Sequence, residues 1–450
     1  MRPLFLPDSK GLCYSPFPVG GGSGAPGIRL SRGRYRHPVQ TGPAADQRDG
    51  VGPALGRGGS QENRLLPAPR AQQVTIIPMQ LTIERASLLR SLGHVQSVVE
   101  RRNTIPILNN VLVETADGAI RLTATDMELA ISETVAAEVG APGAITASAH
   151  TLHDIVRKLP DGAQVALETA DGDGQLALHS GRSNFQLASL PPADFPALGD
   201  EALPHRFSLP AEAARALIDQ TRFAISTEET RYYLNGIYLH AAERDGVPML
   251  RAVATDGHRL ARFDVPLPDG AADMPGVIVP RKMVNEWRKL IDETDSDIAV
   301  SLSDAKIALA FDDVMLTSKL IDGTFPDYER VVPEGNDKTL EVDCRAFAEA
   351  VDRVSTISTE KSRAVKLALV PGTVTLSATS IEQGRAEEEI EVGYDAEAME
   401  IGFNSRYLLD IAERIHGDKA RFQLGDGASA AIVRDVDDGN ALYVIMPMRV

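Results

Sequence analysis

Asp256 and His258 are the residues whose types and spacing could do chemistry in this chain. They lie in the stretch 254–260 (ATDGHRL), just after a strand-like apolar run at 249–253. A carboxylate and an imidazole so close together could serve as general base and acid in a hydrolase. No serine or cysteine nucleophile motif accompanies them. The glycine run at 20–24 also lacks the Gly-Lys-Ser/Thr that completes a phosphate loop. The sequence therefore offers little support for catalysis, and we expect a non-enzymatic protein.

The same stretch recurs in weaker form at 124–129 (ATDMEL) and at 378–382 (ATSIE), at intervals of 130 and 124 residues. A chain of 450 residues is long enough for about three domains. Each repeat opens with a short strand and an amphipathic helix, and the apolar periodicity predicts the order β-α-β-β-β, then α-β-β-β. The predicted fold class is α+β, with two helices packed on antiparallel sheets in each of three domains. These domains span residues 79–200, 205–328 and 334–450.

Residues 1–78 differ from the repeats, because they are rich in Gly, Pro and Arg and show no sustained period. They carry a net charge of +6, which leaves −23 for residues 79–450. We predict a disordered N-terminal extension, and Met79 opens the patterned part of the chain. Two cysteines, Cys13 and Cys344, are too few for a zinc cluster and suit a reducing cytoplasm. Without an apolar run of about 20 residues, we expect a cytoplasmic protein with no membrane span, metal or cofactor.

Positive charge is concentrated in the six predicted helices. Segments 84–102, 151–159, 211–226, 281–290, 345–361 and 405–416 sum to +6, against −29 for the rest of 79–450. Solvated helix faces often carry lysine and arginine, so this bias alone does not prove a ligand. The alternative is that all six helices face one polyanion. Three domains of this size close around a hole of about 5 Å, whereas six leave about 35 Å. Duplex DNA, roughly 20 Å across, fits only the larger ring, which a head-to-tail pair of chains would form by joining exposed sheet edges.

Four motifs occur in an order and spacing that extend over about 370 residues: 231–236 (RYYLNG), 255–260 (TDGHRL), 325–328 (FPDY) and 446–449 (MPMR). With these motifs the chain from Met79 onward resembles the bacterial DNA polymerase III beta subunit family, the sliding clamps. The resemblance implies a homodimeric ring around double-stranded DNA that acts as a processivity factor. Its implied partners are the DNA polymerase III alpha subunit, an ATP-driven clamp loader, and other polymerases and repair proteins.

The resemblance also implies three sets of residues. Partners would bind through a short segment with Gln and Leu/Phe anchors, in a cleft formed by Leu234, Thr255, Gly257, His258, Arg259, Leu260, Pro326, Arg330, Val331, Asn404, Tyr407, Val444, Ile445, Met446, Pro447, Met448 and Arg449. DNA contacts carry over to Arg102, Tyr232, Tyr233, Arg281 and Lys282. His150 and Glu228 stand where the family often has arginine and glutamine, so phosphate contact there should be weaker. The subunit interface would lie near Phe185 and Ile357, although an apolar pair at these positions suits a core contact equally well.

Two alternatives stay open at this point. The terminal segment 444–448 (VIMPM) could simply be a buried last strand. The chain could also be a three-repeat peptide-binding scaffold that never encloses DNA.

Overall fold

The computed structural model describes residues 79–169, 174–197, 199, 202–358 and 363–449. The predicted extension 1–78 lies outside the described residues. Within them the chain forms 26 strands and six α-helices, arranged in three repeats.

The first repeat contains β1 (Gln80–Glu84), α1 (Arg85–Gln96), β2 (Asn110–Ala116), β3 (Ala119–Thr125), β4 (Leu129–Ala136), β5 (Glu138–Ala141), β6 (Ala144–Ser148), α2 (Ala149–Lys158), β7 (Gln164–Thr169), β8 (Gln175–Ser180) and β9 (Ser183–Ala188). The second contains β10 (His205–Leu209), α3 (Ala211–Asp219), β11 (Gly236–Arg244), β12 (Val247–Thr255), β13 (Arg259–Pro266), β14 (Val277–Pro280), α4 (Arg281–Ile291), β15 (Ile298–Leu302), β16 (Lys306–Phe311) and β17 (Val314–Lys319). The third contains β18 (Lys338–Asp343), α5 (Cys344–Ser355), β19 (Ala364–Val370), β20 (Thr373–Ser380), β21 (Gly384–Glu391), β22 (Gly393–Tyr394), β23 (Met399–Asn404), α6 (Ser405–Ala412), β24 (Lys419–Leu424), β25 (Ala431–Asp435) and β26 (Ala441–Ile445).

The helices form where the sequence places apolar residues three and four apart. In α1, Leu88, Leu92 and Val95 are fully buried on one face. Side chains cap three of the helices: the carboxylates of Glu84 and Asp343 and the amide oxygen of Asn404 accept backbone N–H groups of α1, α5 and α6. The predicted strand order was incomplete, because an additional short strand (β6, β14 or β23) leads directly into the second helix of each repeat. The first and third repeats contain one further short strand each, β5 and β22.

The strands form four antiparallel sheets, and two of these cross from one repeat to the next. The first sheet has the order β5-β1-β7-β8-β9 and belongs to the first repeat alone. The second, β10-β15-β16-β17-β4-β3-β2-β6, joins repeats one and two through β17 and β4. The third, β14-β11-β12-β13-β26-β25-β24-β18-β22, joins repeats two and three through β13 and β26. The fourth, β21-β20-β19-β23, belongs to the third repeat alone. Each repeat thus contributes strands to two sheets.

One hydrophobic core runs through all three repeats between the helices and one face of the sheets. Side chains alternate along each strand, so the next residue points to the opposite face. On the third sheet, Ala252, Ala254, Ala261 and Tyr443 face the helices, whereas Val253, Leu260 and Leu442 face away from them. The third sheet therefore carries a second apolar cluster on the face that the helices do not cover.

Candidate functional site

The turn between β12 and β13 explains why the stretch Thr255–Arg259 has the sequence it has. Thr255 Oγ1 donates to the carbonyl oxygen of Arg259 at 2.7 Å and accepts the N–H of Gly257 at 3.1 Å. Asp256 Oδ1 accepts the N–H groups of His258 at 2.9 Å and Arg259 at 3.0 Å. Gly257 has φ of 86°, a left-handed conformation that glycine adopts without strain. A Cβ at that position would also collide with the guanidinium of Arg231.

The first repeat makes the same turn with a different residue at the left-handed position. Thr125 Oγ1 donates to the carbonyl oxygen of Leu129 at 2.9 Å and accepts the N–H of Met127 at 3.0 Å. Met127 has φ of 80°, which is strained for a side chain of this size. Each turn then holds the next repeat: Lys319 N–H donates to the Glu128 carbonyl at 2.8 Å, and Met446 N–H to the His258 carbonyl at 2.9 Å. In both repeats the turn therefore helps to join strands of neighbouring repeats into one sheet.

The geometry of this turn argues against a catalytic Asp256. Its Oδ1 accepts two backbone N–H groups, and its Oδ2 lies 3.1 Å from Nε of Arg259. The carboxylate is therefore engaged in shaping the turn, while His258 is exposed on its outside.

Arg259 fastens the second repeat to the third. Its side chain is only 8 % exposed and forms ion pairs with Asp256 and with Asp410 of α6. Its guanidinium lies over the rings of Tyr407 and Phe223, 4.4 Å and 5.0 Å from their centroids, and donates to the Phe223 carbonyl at 2.6 Å. Burial raises the pKa of Tyr407, and the nearby Asp256 raises it further. Arg259 is therefore buried at the junction, and the ring of the half-buried Tyr407 packs against it.

The predicted apolar floor is brought together on the face of the third sheet that the helices do not cover. Leu234, Leu260 and Val444 are at most 1 % exposed and belong to one cluster, with Val331 half-buried against it. We call this group the apolar cleft cluster. Sequence reasoning missed several of its members, which strand alternation could have identified: Tyr238, Val253, Ile278, Phe325, Tyr328, Ile432 and Leu442. The Tyr238 and Phe325 rings stack with centroids 4.9 Å apart.

The other residues predicted to line the cleft differ in how far they are exposed. Met446 and Met448 are partly exposed just beyond β26, with Pro447 buried between them, and the Met448 N–H donates to the Gly402 carbonyl at 2.7 Å. Asn404 caps α6, and half-buried Pro326 precedes the exposed Arg330, which pairs with Asp327 at 2.6 Å. Arg449 is exposed. The prediction that Ile445 lines the cleft is wrong, because this residue follows Val444 in the strand and therefore points into the helix-side core.

Comparison with known proteins gives a consistent family. Family models of the N-terminal, central and C-terminal domains of the DNA polymerase III beta subunit match residues 79–199, 208–327 and 329–449. A beta sliding clamp from Caulobacter vibrioides (strain NA1000 / CB15N) is 52 % identical over 372 residues, 83 % of this chain and 100 % of the relative. The beta sliding clamp of Escherichia coli K12 is 40 % identical over 374 residues, 82 % of this chain and 100 % of the relative. The solved sliding clamp from Bartonella birtlesii bound to griselimycin has a TM-score of 0.81 at 48 % identity, covering 83 % of this chain and 100 % of that chain.

The chain belongs to the DNA polymerase III beta subunit family. This confirms the prediction of three repeated clamp domains and of a sliding clamp, a non-catalytic processivity factor of DNA polymerase. These relatives do not favour the alternative of a peptide-binding scaffold that never encloses DNA. Among the described residues, no helix is long and apolar enough to cross a membrane.

The residues expected to meet DNA in a sliding clamp differ in how far their side chains are exposed. Tyr232 is 54 % exposed, and Arg102 and Arg281 are exposed. Tyr233 is half-buried, with its ring edge-on to that of Tyr232. Lys282 forms an ion pair with Asp126 across the first junction and lies 3.6 Å from Glu100.

Two positions that depart from the usual clamp pattern are also held by the protein. The ring nitrogens of His150 lie 3.2 Å from Gln96 Oε1 and 3.0 Å from the Val99 carbonyl oxygen. Glu228 forms an ion pair with Arg231. Lys282 and His150 are therefore already bonded to neighbouring groups of the protein.

The residues expected at the subunit interface lie on or near the first and fourth sheets, the two that do not extend across repeats. Phe185 is half-buried on β9, the last strand of the first sheet. Ile357 is half-buried just after α5, which packs against β21, the outermost strand of the fourth sheet. Phe185 thus lies on an edge strand of the first sheet, and Ile357 follows the helix that packs against an edge strand of the fourth.

Proposed function

We propose that two copies of this chain join head to tail into a ring that encloses duplex DNA. The pattern of sheet pairing carries this proposal. At both internal junctions, strands of one repeat and strands of the next merge into a single sheet. The first and fourth sheets are the two that belong to one repeat each, and β9 and β21 each form one of their two edges. Pairing β9 of one copy with β21 of another would repeat the internal junction and protect both edges.

The number of repeats sets the size of the opening. Two chains supply six domains, and a ring of six domains of about 120 residues leaves a hole of about 35 Å. A duplex roughly 20 Å wide fits with a layer of water on each side. The enclosed DNA is then held by topology, so the ring can slide without reading the sequence.

The helices would line this opening, because they share one side of the sheets. Within the bounds of the structure, α1 carries +2 and α4 carries +3, and the six helices together carry +5. The whole chain carries −17. Arg102, Arg281 and Tyr232 would supply contacts to the sugar-phosphate backbone, which position a protein without selecting a sequence. An inner surface that is only mildly positive favours loose, mobile contact over tight binding.

The apolar cleft cluster would receive the peptide segments of partner proteins. A Leu or Phe anchor could pack against half-buried members of the cluster such as Val331, and the flexible, partly exposed Met446 and Met448 could adapt to different partners. Solved clamps from Bartonella birtlesii and Pseudomonas aeruginosa that carry griselimycin support a ligand site on clamps of this family. The partners would be the DNA polymerase III alpha subunit, the clamp loader, and other polymerases and repair proteins. We expect the protein to act in the cytoplasm, where the DNA is replicated.

Electron microscopy of the purified full-length protein tests the ring. We expect six-lobed particles with a central hole of about 35 Å and twice the mass of the chain by analytical ultracentrifugation. Monomeric particles, or dimers without a central hole, would contradict the proposal.

A further inference from the structure

Four arginines lie beside the apolar cleft cluster on the same face of the third sheet. They are Arg244 on β11, Arg251 on β12, Arg262 on β13 and Arg434 on β25. Arg262 follows Leu260 by two residues, and Arg434 follows Ile432 by two residues, so each shares a face with a member of the cluster. Two residues along a strand correspond to about 7 Å. The arginines therefore continue the cleft surface rather than form a separate region.

Arg251 and Arg244 share one buried carboxylate, and Arg244 also donates to the Gly439 carbonyl at 3.0 Å and to Asn440 Oδ1 at 2.9 Å. Asp264 is fully buried and accepts two hydrogen bonds from Arg251, from Nε at 2.7 Å and from Nη2 at 3.0 Å. Arg244 Nη1 lies 3.8 Å from Asp264 Oδ2. Arg251 also donates to the Tyr328 hydroxyl at 3.2 Å and lies 3.4 Å from the exposed Glu329. Hydrogen bonds to Asp264 and Tyr328 raise the pKa of Arg251 although its burial acts in the opposite direction. The nearby carboxylates are thus already committed to these two arginines.

Arg262 and Arg434 are short of counter-charge. Within the described part of the chain neither forms an ion pair, and the Nε of each is buried without a hydrogen-bond partner. Burial lowers the pKa of Arg262, and the nearby Arg251 lowers it further, although the charge of Asp264 acts in the opposite direction. Burial also lowers the pKa of Arg434, with Arg244 adding to the effect. A half-desolvated cation without a partner is costly, so an incoming anion would be stabilised at this place.

We propose that Arg262 and Arg434 bind acidic side chains of partner segments. The apolar anchors of the same segments would pack against the neighbouring apolar cleft cluster. This inference rests on the proposed peptide-binding cleft and extends it by adding an electrostatic subsite. The arginines lie on the face that the helices do not cover, so DNA enclosed by the helices would not reach them. Two or three extended residues of a peptide span the distance of about 7 Å from the cluster. An acidic flank, rather than a basic or neutral one, therefore marks the preferred partner segments.

Fluorescence anisotropy with labelled peptides tests the subsite. Each peptide carries the same Gln-Leu-Phe core, with three Glu or three Gln residues added at its N-terminal or its C-terminal end. The proteins are the wild type, Arg262→Gln/Arg434→Gln, and Arg90→Gln/Arg345→Gln, a control that removes the same charge from exposed positions. The measurement is made at about 50 mM salt. We expect the Glu flank at one of the two ends, N-terminal or C-terminal, to strengthen binding to the wild type and to the control about fivefold relative to the Gln flank at the same end. The Arg262→Gln/Arg434→Gln variant should lose this preference and bind the Gln-flanked peptides unchanged.

Conservative variants guard against a simple loss of structure. Arg262→Lys/Arg434→Lys retains the charge and should keep most of the preference, and equal thermal unfolding midpoints establish that the variants are folded. Equal affinity of Glu- and Gln-flanked peptides for the wild type would overturn the inference, as would a preference that survives in the Arg262→Gln/Arg434→Gln variant. Weaker binding of a linear duplex by this variant, with the peptide preference intact, would assign the arginines to DNA and overturn it as well. If no peptide bound at all, the proposed cleft itself would fail, which is a different result.

Discussion

Replacing Arg259 with alanine should loosen the junction between the second and third repeats. The side chain is 8 % exposed and forms ion pairs with Asp256 and Asp410. The substitution also removes the contacts with the Tyr407 and Phe223 rings at 4.4 Å and 5.0 Å. Both carboxylates stay in place without their shared cation, and within the described residues only Asp410 keeps another arginine, the exposed Arg406 at 3.8 Å.

The size of the effect follows from how far those carboxylates can be rehydrated. Removing one partner of a fully buried ion pair costs about 3–5 kcal/mol. Asp256 and Asp410 are 19 % and 24 % exposed, so water can enter and reduce that cost. Each lost cation–π contact adds about 1 kcal/mol. We expect the free energy of unfolding to fall by about 3 kcal/mol. Arg259→Lys keeps the charge but loses the planar fork and should cost roughly half as much.

Urea denaturation followed by tryptophan fluorescence measures this loss. Trp287 is the only tryptophan in the sequence and is 4 % exposed in α4, so it reports on the second repeat. Arg345→Ala, at a side chain 90 % exposed on α5, is the control and should leave the urea midpoint unchanged. An Arg259→Ala midpoint equal to that of the control would refute the assignment of Arg259 as the residue that fastens the two repeats.

Three further predictions follow from other parts of the structure. Deleting residues 446–450 should weaken binding of polymerase peptides by about 100-fold while sedimentation still shows a dimer; unchanged affinity in the truncated dimer would count against the cleft. Phe185→Asp combined with Ile357→Asp should give monomers on sedimentation, and an intact dimer would show that the interface lies elsewhere. Burial alone would lower the pKa of His94, but its hydrogen bonds to Glu133 and Glu293 raise it above the ordinary value of 6.5. Its stabilising contribution is therefore complete below about pH 6.5 and is lost as the pH rises through the raised value. The urea midpoint should fall with pH more steeply in the wild type than in His94→Asn, and parallel slopes would contradict this.

Sequence periodicity was sufficient for the elements that depend on local spacing. The stripe of Leu88, Leu92 and Val95 predicted α1 but not its end, because the predicted helix ran from 84 to 102 whereas α1 ends at Gln96. There the Ser97 N–H donates to the His94 carbonyl, three residues back, in a tightened last turn. The short strands before each second helix bury three residues in succession, so they lack the alternation that identifies a half-buried strand, and they were missed.

Contacts between distant residues could not be inferred from local patterns. Arg259 and Asp410 are separated by 151 residues, and the sequence gives no sign that one lies over the other. The merging of β13 with β26 is of the same kind, because register across repeats depends on how whole domains dock. The misplacement of Ile445 was avoidable, since strand alternation forbids it from sharing a face with Val444.

Retention on circular DNA tests most directly whether the protein is held by enclosure. The full-length protein is placed on nicked circular plasmid by a clamp loader with ATP, and the complex is separated from free protein by gel filtration at about 0.5 M salt, where exposed charges are screened. We predict that the protein stays with the circular DNA and is released when one restriction cut makes it linear. Equal retention on circular and linear DNA, or release from both as the salt rises, would contradict a topological link.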